Sequence, residues 1–285
     1  DYAGANNGTY FNTSLGQNGY VTIDSDKAAA FSGENSYVGL ISGKAINFEG
    51  TNASFTLECW VNGAEGTADE STIIGKGTGS DGTTANEQFA LDVAFGQYRF
   101  FVRGKNNVIY SAEAAIGPNG TWQHVVCVYD QSNPASAAMS IYVNGELSGT
   151  GSGRPASLGG LQPSSSPVSI GSKRLGNAPA YNGTFNGTLD EVAIYSTILD
   201  AATVQAHYGS AYGPSTPPQI SVQPKPVTTY ATLKATFTVA AFGTVPLTYQ
   251  WRKDGLDIGG ANSAFYAINN LTSGDEGRYT VVVEN

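Results

Sequence analysis

The chain has 285 residues, a formal charge of −9 and only 13% charged residues. Nucleic acid and anionic membranes carry the same sign, which excludes any general attraction to them. A hydrophobic content of 40% excludes intrinsic disorder, and no apolar run reaches the ~20 residues that span a bilayer. The 36 glycines, with abundant Tyr, Thr, Val, Ser and Asn, are the profile of short strands joined by tight turns. An all-β protein with two cores is the expectation at this length.

In chain order, β-patterned runs predict strands at Ser54 to Val61, Glu87 to Phe95, Gln97 to Arg103, Val108 to Ala112, Trp122 to Tyr129, Met139 to Val143, Val168 to Gly171 and Thr188 to Tyr195. FGQYRF reads as a tight reversal, and Asn144-Gly145 between β-prone residues reads as a hairpin turn. A short helix is expected at Asp200 to Tyr208, capped by Asp200, with Val204 and Tyr208 on one face. The segment GPSTPPQISVQPKP reads as a Pro-rich linker over residues 214–226, separating a domain at 1–213 from one at 227–285. Residues 1–213 hold 9 basic and 18 acidic residues against 5 of each in 214–285, so the first domain carries all the net charge.

The two cysteines, Cys59 and Cys127, lie in the strand patterns FTLECWV and WQHVVCVYD. They are either small buried thiols or a disulfide joining two strands, and an extracellular chain favours the disulfide. In GTLDEVAIY, Asp190 and Glu191 interrupt an apolar alternation, which is costly unless a cation or hydrogen-bond donors compensate. As sequence neighbours on a strand they point to opposite faces and cannot form an acid and nucleophile pair. His124 and His207 stand in no metal-ligand spacing, and His124 alternates with Trp122 and Val126 as a structural histidine would. The seven N-x-S/T sequons, several of them Asn-Gly-Thr, read as turns.

Six motifs in order carry a resemblance over nearly all of residues 1–213. They are DYAGANNGTY, AAAFSGENSYVGL, SFTLECWV, TWQHVVCVYD, SIYVNGEL and FNGTLDEVAIYSTILDAATV. This part resembles the laminin-G-like, concanavalin A-like jelly roll, related more distantly to pentraxins. The second part resembles a bacterial immunoglobulin-like module through Trp251 and DEGRYTVVVEN, with Tyr279 at the tyrosine corner and Val239 and Val281 where many relatives carry cysteines. The resemblance implies one more strand before Asp1 and a final strand beyond Asn285, which makes the chain look like an excised fragment with open edges.

The resemblance also implies a structural calcium held by Asp190, Asp1, Asn6 and a main-chain oxygen near Gly8, a hard oxygen set suited to that ion. The alternative is that Asp190 accepts backbone N–H groups from that loop. The acidic phosphocholine loop of pentraxins is replaced here by Ser172, Lys173 and Arg174, so that activity does not transfer. Lys173 and Arg174 could meet anionic groups on a sugar, or be solvated surface charges. Tyr181 with Asn182 on a Gly-rich loop is the carbohydrate-stacking candidate, followed by Tyr98 and Tyr110, whereas Trp60 and Trp122 read as core.

The expected function is a noncatalytic carbohydrate- or surface-ligand-binding fragment of a larger secreted bacterial protein, working at the cell surface. Its partners would be a glycan or neighbouring protein domains, with no nucleic acid and no membrane insertion. The competing reading is a structural or assembly module that docks through exposed strand edges.

Overall fold

Alternating β-branched and aromatic residues with polar ones makes a strand that buries one face, and runs such as FTLECWV bury both. The computed structural model describes residues 6–21, 26–40, 46–48, 53–79, 87–132, 138–151, 160–175, 180–211, 217–244 and 247–285. The chain divides into two compact units, Asp1–Val143 with Leu147–Asp200, and Asn144–Glu146 with Ala201–Asn285. The all-β sandwich plus smaller sandwich expected from the sequence is what forms.

The first unit has two seven-stranded antiparallel sheets. One runs Gly8–Phe11, Tyr37–Leu40, Val168–Ile170, Thr72–Lys76, Phe89–Ala94, Gln97–Arg103, Ile109–Glu113. The other runs Glu146–Gly151, Ala138–Val143, Gln123–Asp130, Phe55–Gly63, Asn186–Tyr195, Lys27–Ser32, Ser14–Asn18. All eight predicted strands are present. The strands without a prediction, such as Ser14–Asn18 and Lys27–Ser32, are rich in Gly, Ala, Ser and Asn and become strands by pairing with their neighbours.

The core lies between the sheets. Phe55 is its hub, with ring centroids 4.3 Å from Phe48, 5.0 Å from Phe89, 5.6 Å from Tyr129 and 5.9 Å from Phe100. Leu57, Cys59 and Val61 follow on the same inner face, against Val125 and Cys127.

The expected disulfide is not formed: Cys59 and Cys127 are both free and buried. The register explains it, since Cys59 stands opposite Val125 and Cys127 opposite Leu57. The thiols are therefore diagonal neighbours, at a Cα separation of about 7–8 Å in such a ladder, beyond the usual span of a disulfide. Burial pushes both thiols well above their ordinary range.

In the second unit, Gln219–Val222 pairs with Ala240–Phe242, Ala235–Thr238 with Phe265–Ile268, and Thr248–Lys253 lies between Leu256–Asp257 and Tyr279–Glu284. Gln219–Val222 runs as a strand within the segment read as linker, because its Pro neighbours leave those four residues free to pair. Trp251 is fully buried and donates its indole N–H to the Ser263 carbonyl at 2.9 Å. Val239 and Val281 fill the cysteine positions by packing on it. Tyr279 makes the expected corner, its hydroxyl donating to the Asp275 carbonyl at 2.8 Å. The helix covers Ala201–Ser210, with Val204 and Tyr208 buried as predicted, and Tyr208 donates to the Ala241 carbonyl at 2.8 Å.

With both thiols free inside the core, the folded chain is expected to resist a thiol reagent and the denatured chain to take up two equivalents. Reductant should leave the melting temperature unchanged, because no loop is cross-linked. A reductant-sensitive melting temperature would contradict the observed register.

Candidate functional site

Alternation in the first sheet sends Leu91, Phe100 and Val102 into the core and Asp92, Arg99 and Phe101 to the outer face. The turn at Phe95-Gly96 sets Ala94 against Gln97, so Asp92 falls opposite Arg99, and Arg99 in turn faces Glu113 on the next strand. Arg99 donates to Asp92 in a fork, Nε to Oδ1 at 2.9 Å and Nη2 to Oδ2 at 2.6 Å. The Asp92 side chain is 1% exposed and that of Arg99 23%. Burial pushes the Asp92 carboxyl above its ordinary range, and the Arg99 guanidinium only partly offsets this. Arg99 also lies over the Phe101 ring, 5.3 Å from its centroid.

A second ion pair joins the first. Lys173 Nζ donates to Glu70 Oε2 at 2.9 Å, and this hydrogen bond holds the Glu70 carboxyl below its usual range. Lys173 and Arg99 both act on the Glu70 and Asp92 carboxyls, and those carboxyls on Arg99, so the four form one network of two acids and two bases. Arg103 and Glu87, 2.8 Å apart, extend the paired charges along the same hairpin. Asp92 and Arg99 were missed in the sequence, although the FGQYRF reversal already carries the signal: a two-residue turn at Phe95-Gly96 makes them direct partners.

Lys173 belongs to a small sheet of Thr78–Gly79, Lys173–Leu175 and Ala180–Asn182, where it pairs with Asn182 and Arg174 pairs with Tyr181. The predicted Lys173 and Asn182 are thus brought together beside the network. Lys173 is buried and ion-paired rather than a solvated surface charge. Asn182 Oδ1 and Ser172 Oγ are buried without a hydrogen-bond partner among the described residues. Arg174 and Tyr181 are described by their backbone, and their side chains lie outside the described residues. Tyr98 is no stacking platform: it faces the core, fully buried, and donates to Gln123 Oε1 at 2.9 Å. Tyr110 packs half-buried against the same core.

Asp190 sits on Asn186–Tyr195 opposite Trp60, just before a bulge in which Glu191 takes a left-handed backbone with φ 45°. The bulge, not simple alternation, parts the two carboxylates. Asp190 Oδ2 accepts the Tyr20 N–H at 3.3 Å and Oδ1 the Glu191 N–H at 3.1 Å. Tyr20 stacks on Trp60 with centroids 4.1 Å apart. Of the expected calcium set, Asp1 lies outside the described residues, Gly8 pairs with Leu40 in the other sheet, and Asn6 directly precedes that strand segment. No group of three or more His, Cys, Asp and Glu among the described residues could hold a metal. Asp190 thus accepts backbone N–H groups, from Tyr20 and Glu191 rather than from the opening loop.

His124 is buried in the strand as a structural histidine, its Nε2 2.7 Å from Glu58 Oε1, and the Tyr195 hydroxyl donates to Glu58 Oε2 at 2.7 Å. Asn119 shows the turn chemistry expected of the sequons, accepting the Thr121 N–H at 3.0 Å.

A family described as the concanavalin A-like lectin/glucanases superfamily matches residues 15–205, and an immunoglobulin domain matches residues 217–285. No curated protein matches the chain. The binding domain of Paraclostridial Mosquitocidal Protein 1 is similar in structure at TM-score 0.54 and 13% identity, over 96% of this chain and 68% of that one. The Botulinum Neurotoxin serotype G binding domain is similar at TM-score 0.51 and 12% identity, over 95% of this chain and 66% of that one. Both likenesses are of fold.

Arg99→Leu is expected to leave Asp92 as an unpaired buried carboxylate, at a cost of about 3 kcal/mol in urea unfolding at pH 8. Because burial raises the Asp92 pKa above its ordinary value, its stability contribution falls as pH rises through that raised value. The variant's loss should therefore shrink between pH 8 and pH 4, as the unpaired Asp92 carboxyl takes up a proton more readily than an ordinary carboxylate. An equal loss at both pH values would show that the pair does not carry the effect.

Proposed function

Because the chain belongs to the concanavalin A-like lectin/glucanases superfamily and carries an immunoglobulin domain after it, we propose that it is a noncatalytic module that binds a carbohydrate. The observation that carries this reading is the network of Asp92, Arg99, Glu70 and Lys173 on the outer face of one sheet. A sugar hydroxyl both donates and accepts, and a carboxylate beside a guanidinium or ammonium offers both partners without net charge. The unpartnered Asn182 Oδ1 adds an acceptor next to Lys173. Each carboxylate of the network is already committed to a cation, which leaves no free acid and nucleophile and supports binding over hydrolysis. The immunoglobulin domain acts as a spacer, and the whole works outside the cell as part of a larger secreted protein.

The second reading, assembly through strand edges, draws on two features. Ser14–Asn18 is a wholly exposed terminal strand. Tyr279–Glu284 ends its sheet, and a cavity of about 590 Å³ lies between Pro226, Tyr230, Phe237 and Tyr279.

Retention on immobilised polysaccharides tests the leading reading: the wild type should be retained and Lys173→Gln should weaken retention roughly tenfold or more. Concentration-dependent self-association without retention would favour the assembly reading.

Structural calcium at Asp190, with Asp1, Asn6 and the Gly8 main chain, is a separate proposal. An ion bound only by the folded state at a hundredfold excess over its Kd adds about 2.7 kcal/mol. Calcium should then raise the melting temperature of the wild type and not that of Asp190→Asn. Equal melting in calcium and in chelator would leave Asp190 as an acceptor of backbone N–H groups only.

A further inference from the structure

Phe95 is 89% exposed, the most exposed large apolar side chain among the described residues. It also has a left-handed backbone, φ 52°, at the first position of a two-residue hairpin turn completed by Gly96 at φ 75°. Among the described residues the same turn occurs twice more, with φ 54° and 79° at Asn144-Gly145 and φ 51° and 86° at Asp254-Gly255. Those two use the residues such turns prefer, whereas an aromatic at this position is strained and gains nothing from burial.

The turn is nevertheless held firmly. The Phe95 N–H donates to Asp69 Oδ1 at 2.6 Å, and the Gln97 side chain donates to the Ala115 carbonyl at 3.2 Å. Gly117 packs so closely on the Gly96 carbonyl that a side chain there would clash. The ring is thus fixed at its root and bare at its face. Beside it, Glu70 has a left-handed backbone too, φ 63°, and its N–H donates to the Val93 carbonyl at 2.7 Å while its carboxylate holds Lys173. Two residues with left-handed backbones, an aromatic and a charge-bearing one, thus lie on adjacent segments tied by the Asp69–Phe95 and Glu70–Val93 hydrogen bonds.

We infer that Phe95 is the stacking platform of a site for a neutral pyranose glycan, with the Glu70–Lys173 pair at its edge reading the ring hydroxyls. The inference rests on the carbohydrate reading above and assigns it a residue and a ligand class. The apolar face of a pyranose covers an aromatic ring while its equatorial hydroxyls reach polar groups at the rim. A lipid surface is the other common use of a bare aromatic at a turn, but Asp69 and Glu70 beside the ring and the net charge of −9 oppose an anionic bilayer.

The test is affinity electrophoresis of the whole chain in laminarin, galactomannan, xylan and, as an acidic comparator, alginate. Wild type should be retarded by at least one neutral polysaccharide, and Phe95→Asn should weaken that binding at least roughly tenfold. The same variant should melt roughly 2–4 °C higher, because Asn suits the turn, whereas a structural role for the ring would lower the melting temperature. If Phe95→Asn binds as wild type while Lys173→Gln does not, the platform is overturned and the carbohydrate reading stands. Retardation by alginate alone overturns the neutral class. No retardation by any of the four overturns both, and Phe95-dependent sedimentation with phosphatidylcholine–phosphatidylserine vesicles reassigns the ring to membranes.

Discussion

The first unit depends on the burial of Phe55–Gly63 on both faces. Its inner residues, Phe55 to Val61, tie the two sheets together through a cluster of stacked and tilted rings. Its outer residues, Thr56, Glu58 and Trp60, are equally withdrawn from water, and this imposes a second requirement. A carboxylate in that position costs several kcal/mol unless it is paired and hydrogen-bonded. The two flanking strands meet the requirement from either side, His124 on one and Tyr195 on the other, and burial with the Glu58 hydrogen bond pushes the Tyr195 hydroxyl upward. Thr56 is served by the segment after Tyr195, donating to the Thr197 carbonyl and accepting the Leu199 N–H.

The opposing sheet obeys the same alternation with a different outcome. Its inner face is apolar, but its outer face meets solvent at Arg99 and Glu70, so each ion pair keeps one member in solvent over a buried partner, Asp92 or Lys173. Such a face is electrically quiet at long range and rich in donors and acceptors at short range, which suits hydroxyls better than ions. The left-handed backbones at Glu70 and Phe95 lie at the edge of this face. An aromatic left-handed at a bare turn is the strain on which the proposed site rests.

Much of this was legible from local pattern. The central strands, the Asn144 and Phe95 reversals, the short helix, the Trp251 core and the Tyr279 corner all follow from residues within a few positions of one another. His124 was readable as structural for the same reason. The candidate site was only half legible. Lys173 and Asn182 were named, but Lys173 meets Glu70 across 103 positions of chain, and no local signal reports that pairing. Tyr98 was misjudged because aromatic content does not say which face of a strand turns inward.

The sequence by itself determined the fold class, the two modules and the residues that could bear charge or stack, because period-two alternation and turn chemistry are properties of neighbours. Tertiary structure decided register, and register decided the rest. It set Cys59 diagonal to Cys127 and left two thiols, gave Asp190 the Tyr20 N–H, and joined Asp92 to Arg99 on the face that Glu70 and Lys173 complete. A shift of one residue along any of these strands would reverse which side chains face the core, and that choice is made by the packing of the whole sandwich.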